Sequence, residues 1–316
     1  MGTLLDKPVT EKEHTESGTA HNLHYGVSSM QGWRVDMEDA HLFVGDLDPA
    51  AEGTSLFGVF DGHGGEFAAK YAADKSTGVA ATLREEEDYK SYVSLPPESR
   101  GSKQGIDLLS SALQSAFIAV DKSMLSTPTM SSSKDRSGCT AVVVVVTPTH
   151  VLCANAGDSR ACAAKVVDGR VTEVPLSEDH KPYNPGESAR ISAAGGYVSM
   201  KRVDGDLAVS RALGDFQYKD RPDLPPAQQK VTGFPDVKVE ARGRKDQFIV
   251  VGCDGIWDVV SNQEAVDMVL QMVKEGETRP ELMAEEMIDL CLEKGSRDNM
   301  TCGVVVIGEA GAKGVF

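Results

Sequence analysis

The chain has 316 residues, enough for one large domain or two ordinary ones with a sizeable core. Apolar residues make up 41% and charged residues 25%, which excludes wholesale disorder. With 32 basic against 48 acidic side chains the net charge is −16, which repels nucleic-acid backbones and anionic membranes and argues against a phosphate-tracking role. The other meaning of an acidic excess is carboxylates gathered to hold cations.

Residues 1–23 are polar and read as a flexible arm ahead of one domain over 24–316. The opening MGTLLDKPVTEKEHTES turns polar after two leucines, so it is no secretory signal. Gly2 offers a myristoylation site, weakened because Asp6 stands where Ser or Thr is preferred. Short strand-like runs follow at YGVSSM, HLFVGD and SLFGVFD, each bounded by Gly, Asp or Pro. From Gly65 the alanine-rich EFAAKYAADKSTGVAATL predicts helix, and Arg84–Lys103, charged and broken by Pro-Pro, reads as an exposed excursion. Ile106, Leu109, Leu113, Phe117, Val120 and Met124 recur at steps of three and four, one apolar stripe of a second helix. Ser126–Ser137 reads as a loop.

In the middle of the chain, TAVVVVV, HVLCANA, RACAAKVV and GRVTEV form a ladder whose connections are too short for crossovers, so the strands pair antiparallel. The apolar stretch Cys139–Ala156 is broken by Pro148 and His150 and falls short of a membrane span. GESARISAAGG is a short helix ending in glycines, and FIVVGCDG is a buried strand. Ser261 with Glu264 makes a capping box for SNQEAVDMVLQMVKEG; PELMAEEMIDLCLEKG is a further helix and TCGVVVIG a last strand. The expected fold is α+β, a four-layer α-β-β-α sandwich of two antiparallel sheets flanked by pairs of helices. The six cysteines show no CxxC pair and no zinc spacing, so they read as reduced core thiols of an intracellular protein.

The chemistry lies in the punctuation between strands. Glu38 and Asp39 in RVDMEDAH, Asp61 in VFDGHGG, Asp158 in NAGDSR, Asp254 in CDGIWD and Asp298 in GSRDNM sit at strand ends or turns. One Asp-Gly alone is an ordinary turn, but a carboxylate at the mouth of a packed sheet is expensive unless its charge is offset. Convergent carboxylates without clustered Cys or His call for Mg²⁺ or Mn²⁺. Two such ions about 3.5–4 Å apart would hold a water and lower its pKa, which suits phosphoester hydrolysis. Arg34 offers a planar fork for phosphate oxygens, and His63, two residues after Asp61, could protonate a leaving alkoxide.

MQGWRVDMEDAH, FGVFDGHGG, SGCTA, NAGDSR, EDHKPYNPGE, AGGYV, LAVSRALGDF, CDGIWDVV and GSRDNMT run in order between about residues 24 and 307. On these blocks the sequence resembles the metal-dependent serine/threonine protein phosphatases of the 2C type. The opening MGTLLDKP and HYGVSSMQGWR resemble the animal alpha/beta subgroup, without its C-terminal helical region. The resemblance implies a dinuclear Mn²⁺ or Mg²⁺ site in which Asp61 bridges both ions beside the Gly62 carbonyl. Asp254 and Asp298 would complete one ion, Glu38 would reach the other directly or through water, and Asp39 would act through water or behind the ligands. A weaker third ion would use Asp158 and Asp258. Arg34 would clamp the substrate phosphate, His63 would be the general acid, and His180 to about Arg202 would be a flap beside the cleft. Cys139 departs from the usual serine of SGSTA, and DGHGG from DGHAG; neither touches an implied ligand. Implied partners are phosphoserine and phosphothreonine proteins, not nucleic acid, met by a monomer in the cytoplasm or nucleus. A nuclease would need a basic track that −16 argues against. A pseudophosphatase acting as a binding module would be expected to have lost Asp61, Asp254 or Asp298, all of which are present.

Overall fold

The computed structural model describes residues 4–132 and 135–307. Two antiparallel sheets lie face to face. One runs in the order β1 (Leu4–Ala20), β2 (Leu23–Arg34), β16 (Met300–Val306), β15 (Asp246–Gly252), β9 (Arg160–Val167) and β10 (Arg170–Pro175). The other runs β14 (Asp236–Ala241), β8 (His150–Ala156), β7 (Ala141–Val146), β4 (Ser55–Phe60) and β3 (Ala40–Val44). A small third sheet, β13 (Leu213–Gly214), β6 (Gly138–Cys139) and β5 (Gly62–His63), crosses one end, and a hairpin joins β11 (Val198–Ser199) to β12 (Arg202–Val203).

Period-two alternation explains the layers. In β7, Val142, Val144 and Val146 face the other sheet, where they meet Phe57, Ile249, Val251 and Val305. Val143 and Val145 instead join Leu109, Leu113, Phe117 and Val120 of the long helix α4 (Lys103–Leu125). In β15, Phe248 and Val250 lie with Val266, Val269, Met287 and Ile288, from α8 (Asn262–Lys274) and α9 (Pro280–Glu293). Both faces of the central strands are therefore covered, so they read as unbroken apolar runs. The α-β-β-α order is the expected one, and the Ser261–Glu264 capping box opens α8.

Four local expectations are corrected. The supposed arm is strand β1 over Leu4–Ala20, paired along β2 and tied to α9 by Lys12–Asp289 at 2.6 Å and Thr15–Glu285 at 2.8 Å. An edge strand with a polar outer face carries little hydrophobic signal, so its backbone pairing was not legible. Gly2 lies outside the described residues. The alanine-rich run is two helices, α1 (Phe67–Ala73) and α2 (Val79–Glu85), broken where Asp74 Oδ1 accepts from the backbone N–H groups of Ser76 and Thr77. Arg84–Lys103 is no exposed excursion: it contains α3 (Glu87–Ser94), and Tyr89 and Tyr92 are buried in the core beside α4. Finally, the central ladder is split, because the NAGDSR turn carries the chain from β8 in one sheet to β9 in the other.

In the Ser126–Ser137 stretch a single turn, α5 (Pro128–Ser131), is helical, while residues 133 and 134 are outside the description. The segment His180 to about Arg202, expected as a flap, packs together with the chain that follows it. Beyond α6 (Pro185–Ala193) and the β11–β12 hairpin the packing extends through a small core of Ile191, Val203, Val209, Ala212, Tyr218 and Val231. Among the described residues no helix is long and apolar enough to cross a membrane.

Candidate active site

Six strand ends meet at one end of the sandwich, and each carries a residue the sequence marked. Arg34 ends β2, Asp61 follows β4, Asp158 follows β8 and Asp254 follows β15; Glu38 and Asp39 precede β3, and Asp298 precedes β16. Antiparallel registry enforces this. Ala40 pairs with Phe60, Met300 with Met30 and Gly252 with Cys302, so starts of some strands lie beside ends of others.

Two glycines let the loops close in. A side chain at Gly62 would sit 2.2 Å from the Glu38 carbonyl oxygen, and one at Gly255 would sit 2.1 Å from that of Asn299. Gly255 begins the short α7 (Asp254–Trp257) with Asp254, so this contact draws Asp254 toward the Asp298 loop. Asn299 fastens the remaining loop: its side chain accepts from Glu38 N at 3.0 Å and donates to the carbonyls of Gln31 and Asp36, each at 2.9 Å.

The carboxylates repel one another. Burial pushes Asp61 well above its ordinary value, and the charges of Asp254, Asp39, Asp158 and Asp298 add to that. Asp254 is raised well above its own by burial and then by Asp158, Asp298 and Asp258. Asp39 is pushed up to about 7, burial outweighing the hydrogen bonds of Thr301 and Cys253. Asp258, at the end of α7, is raised by burial as well, though Lys181 opposes it. Thr301 Oγ1 donates to Asp39 Oδ2 at 2.7 Å, whereas Asp39 Oδ1 and Asp158 Oδ1 are buried without a hydrogen-bond partner among the described residues. Crowded carboxylates with orphaned oxygens fit a hard cation.

Ligand atoms of Asp39, Asp61 and Cys253 all lie within 4.8 Å of one another. Burial holds the Cys253 thiol far above its usual range, and its sulfur accepts from Thr301 N at 3.1 Å. A protonated thiol is a poor partner for a hard ion, so the donor set is oxygen.

Arg34 Nη2 donates to Asp298 Oδ2 at 2.6 Å, and its side chain is 36% exposed. Glu38 Oε1 accepts from Gly65 N at 2.6 Å. His63 Nε2 lies 2.6 Å from Asp215 Oδ2, and Asp215 is buried at φ 51° beside β13. Burial of the ring disfavours its charged form, but the charge and hydrogen bond of Asp215 prevail and His63 is held above its ordinary value. The marked residues are thus brought to one place. Asp215, Asn299, Thr301 and Lys181 were not singled out from the sequence. Asp215 lay visible in RALGDF, but without a long apolar run before it nothing distinguished it from a turn aspartate.

The family model for protein phosphatase 2C matches residues 23–300. The chain is 42% identical over 314 residues to protein phosphatase 1B of Rattus norvegicus, covering 98% of this chain and 76% of the relative. It is 41% identical over 315 residues to protein phosphatase 2C homolog 2 of Schizosaccharomyces pombe, covering 96% and 78%. In fold it is similar to the crystal structure of a serine-threonine phosphatase 2C from Toxoplasma gondii, with a TM-score of 0.77 at 23% identity over 96% of this chain and 98% of that one.

Proposed function

The chain belongs to the protein phosphatase 2C family, and from that premise we propose how its acidic end carries out the metal-dependent hydrolysis of phosphoserine and phosphothreonine in proteins. The observation that carries the reading is the crowd of aspartates at this end, in which Asp61, Asp254 and Asp39 are pushed toward their neutral forms first by burial and then by neighbouring carboxylates. Asp61, the Gly62 carbonyl, Asp254 and Asp298 would hold one Mn²⁺ or Mg²⁺. Asp61, Gly62 and Glu38 would hold a second, with Asp39 behind them, and Asp158 with Asp258 would hold a weaker third. When bound, such ions offset the carboxylate charge and make water a nucleophile at neutral pH.

The chain's own residues do the rest. Arg34 is anchored through Nη2 on Asp298, which leaves the other donors of its fork for phosphate oxygens. Asp215 holds His63 by Nε2, so the proton for the leaving serine or threonine oxygen comes from Nδ1, for which no partner appears among the described residues. The raised pKa favours the charged ring, the state in which Nδ1 carries that proton.

The domain read from residue 24 onward takes in β1 as well and acts as one catalytic unit, a reading supported by the single inner core that both sheets share and by the pairing of β1 along β2. The six buried, unpaired cysteines support a reducing compartment, cytoplasm or nucleus. Hydrolysis of p-nitrophenyl phosphate and of a phosphothreonine peptide tests the reading. Both are expected to need Mn²⁺ or Mg²⁺ and to stop with EDTA; turnover unaffected by chelator overturns it. A binding module without activity would turn over neither substrate.

A further inference from the structure

Lys181 stands at the base of the flap, and its Nζ lies 2.5 Å from Asp158 Oδ2. The pair is sheltered, with side chains 23% and 4% exposed. Burial disfavours the ammonium, but Asp158, then Asp254 and Asp179, hold Lys181 above its ordinary value, so the cleft carries a built-in positive charge. That charge reaches further, since Lys181 opposes the upward shift that burial gives both Asp254 and Asp258. Asp158 is nevertheless half satisfied: Oδ2 is on the ammonium while Oδ1 is buried and unpartnered among the described residues.

The backbone around Lys181 is pinned on both sides. His180 N donates to the Gly157 carbonyl at 2.9 Å, and Gly157 N donates to His180 Nδ1 at 3.2 Å. Ser210 N donates to the His180 carbonyl at 3.3 Å, and Asn184 Nδ2 to that of Asp179 at 2.9 Å. What remains free to swing is the lysine stem, four flexible carbons carrying a compact charge. An ion pair made by such a stem opens without disturbing the flap that bears it.

We propose that Lys181 is a tethered counter-cation: its ammonium neutralises Asp158 until a divalent ion enters the Asp158–Asp258 corner, and it must leave for that ion to stay. The lysine thereby sets the low affinity of that corner. An ammonium and a divalent ion on one carboxylate repel strongly in a cleft that water screens poorly, so the two compete for it. The inference rests on the reading of Asp158 and Asp258 as cation-holding carboxylates.

The test uses the full chain stripped of metal, with Mn²⁺ as the probe, followed by calorimetry and by the paramagnetic resonance of free Mn²⁺. Lys181→Met and, as a second variant, Lys181→Gln remove the charge; Lys181→Arg keeps it. The weakest Mn²⁺ event is expected to tighten about tenfold or more in the Met and Gln variants and to stay weak in the Arg variant. The gain is expected to vanish when Asp158→Asn is added. An affinity for the weakest ion that is unchanged or lower in both neutral variants overturns the competition while leaving the cation corner in place. If Asp158→Asn leaves Mn²⁺ binding unchanged in every background, the reading of that corner fails, and the role of Lys181 with it.

Discussion

Glu187 holds the flap to the sandwich, and its removal has a calculable consequence. The carboxylate receives Arg211 Nη2 at 2.7 Å on one oxygen, and Arg190 Nη1 and Ser210 Oγ, each at 2.6 Å, on the other. Arg211 continues to Asp236 at 2.7 Å on β14, so the network joins α6 to the sheet. Burial opposes the charge, but the two arginines and Ser210 win and bring Glu187 from 4.5 down to about 2. A lowered carboxylate contributes stability that is complete above its unfolded value of 4.5 and is lost as pH falls through about 2. At about 1.36 kcal/mol per pH decade, the interval is worth about 3 kcal/mol. Breaking a buried ion pair from one side costs about 3–5 kcal/mol by mutation, the same size by an independent route. Glu187→Gln should therefore accelerate amide hydrogen exchange in α6 by a factor of about a few hundred at pH 7, with the sandwich strands unaffected. The ratio of variant to wild type, taken at matched pH, should shrink on acidification below 4.5. A ratio near one at pH 7, or one that does not change with pH, would refute the charged-keystone argument.

Asp61→Asn and Asp254→Asn should each nearly abolish phosphatase activity. In chelator both should melt at or above the wild-type temperature, since one repelling carboxylate is gone, and Mn²⁺ should raise the melting temperature of the wild type alone. Full activity in either variant at ordinary metal concentration sinks the carboxylate-centre reading. Arg34→Ala should raise KM for phosphopeptide more than it lowers kcat; a loss confined to kcat would put its effect in the transition state or on Asp298, which it touches. His63→Gln should depress phosphoserine peptide hydrolysis about 10²–10⁴-fold and that of p-nitrophenyl phosphate far less, because nitrophenolate leaves unaided. Asp215→Asn should show the same substrate contrast in weaker form, and equal losses on both substrates would make the His63–Asp215 pair structural.

What could be read from sequence and what could not divide along physical lines. Asp61, Asp254 and Asp298 were visible because each adjoins a strand buried on both faces, where an uncompensated charge is costly and so demands a partner. The layer order followed from the same runs, since five consecutive valines in β7 leave no solvent face to assign. The opposite case is β1, whose stability comes from backbone pairing and from contacts to α9 that lie 277 residues away in sequence. Lys181 and Asp215 were hidden for a related reason. Each acts on a group brought near by tertiary closure, Lys181 on Asp158 and Asp215 on His63, and neither sits in a periodic run. A lysine in a polar loop ordinarily faces water. It becomes a cation inside the cleft because the flap, pinned at His180 and Glu187, folds that loop back over Asp158. Residues that supply charge to the centre were legible from local apolar context, whereas residues that regulate or orient that charge required the closed fold. Extending the sequence reading would therefore mean asking which polar loops the topology returns to the ends of β4, β8 and β15, not looking for further motifs.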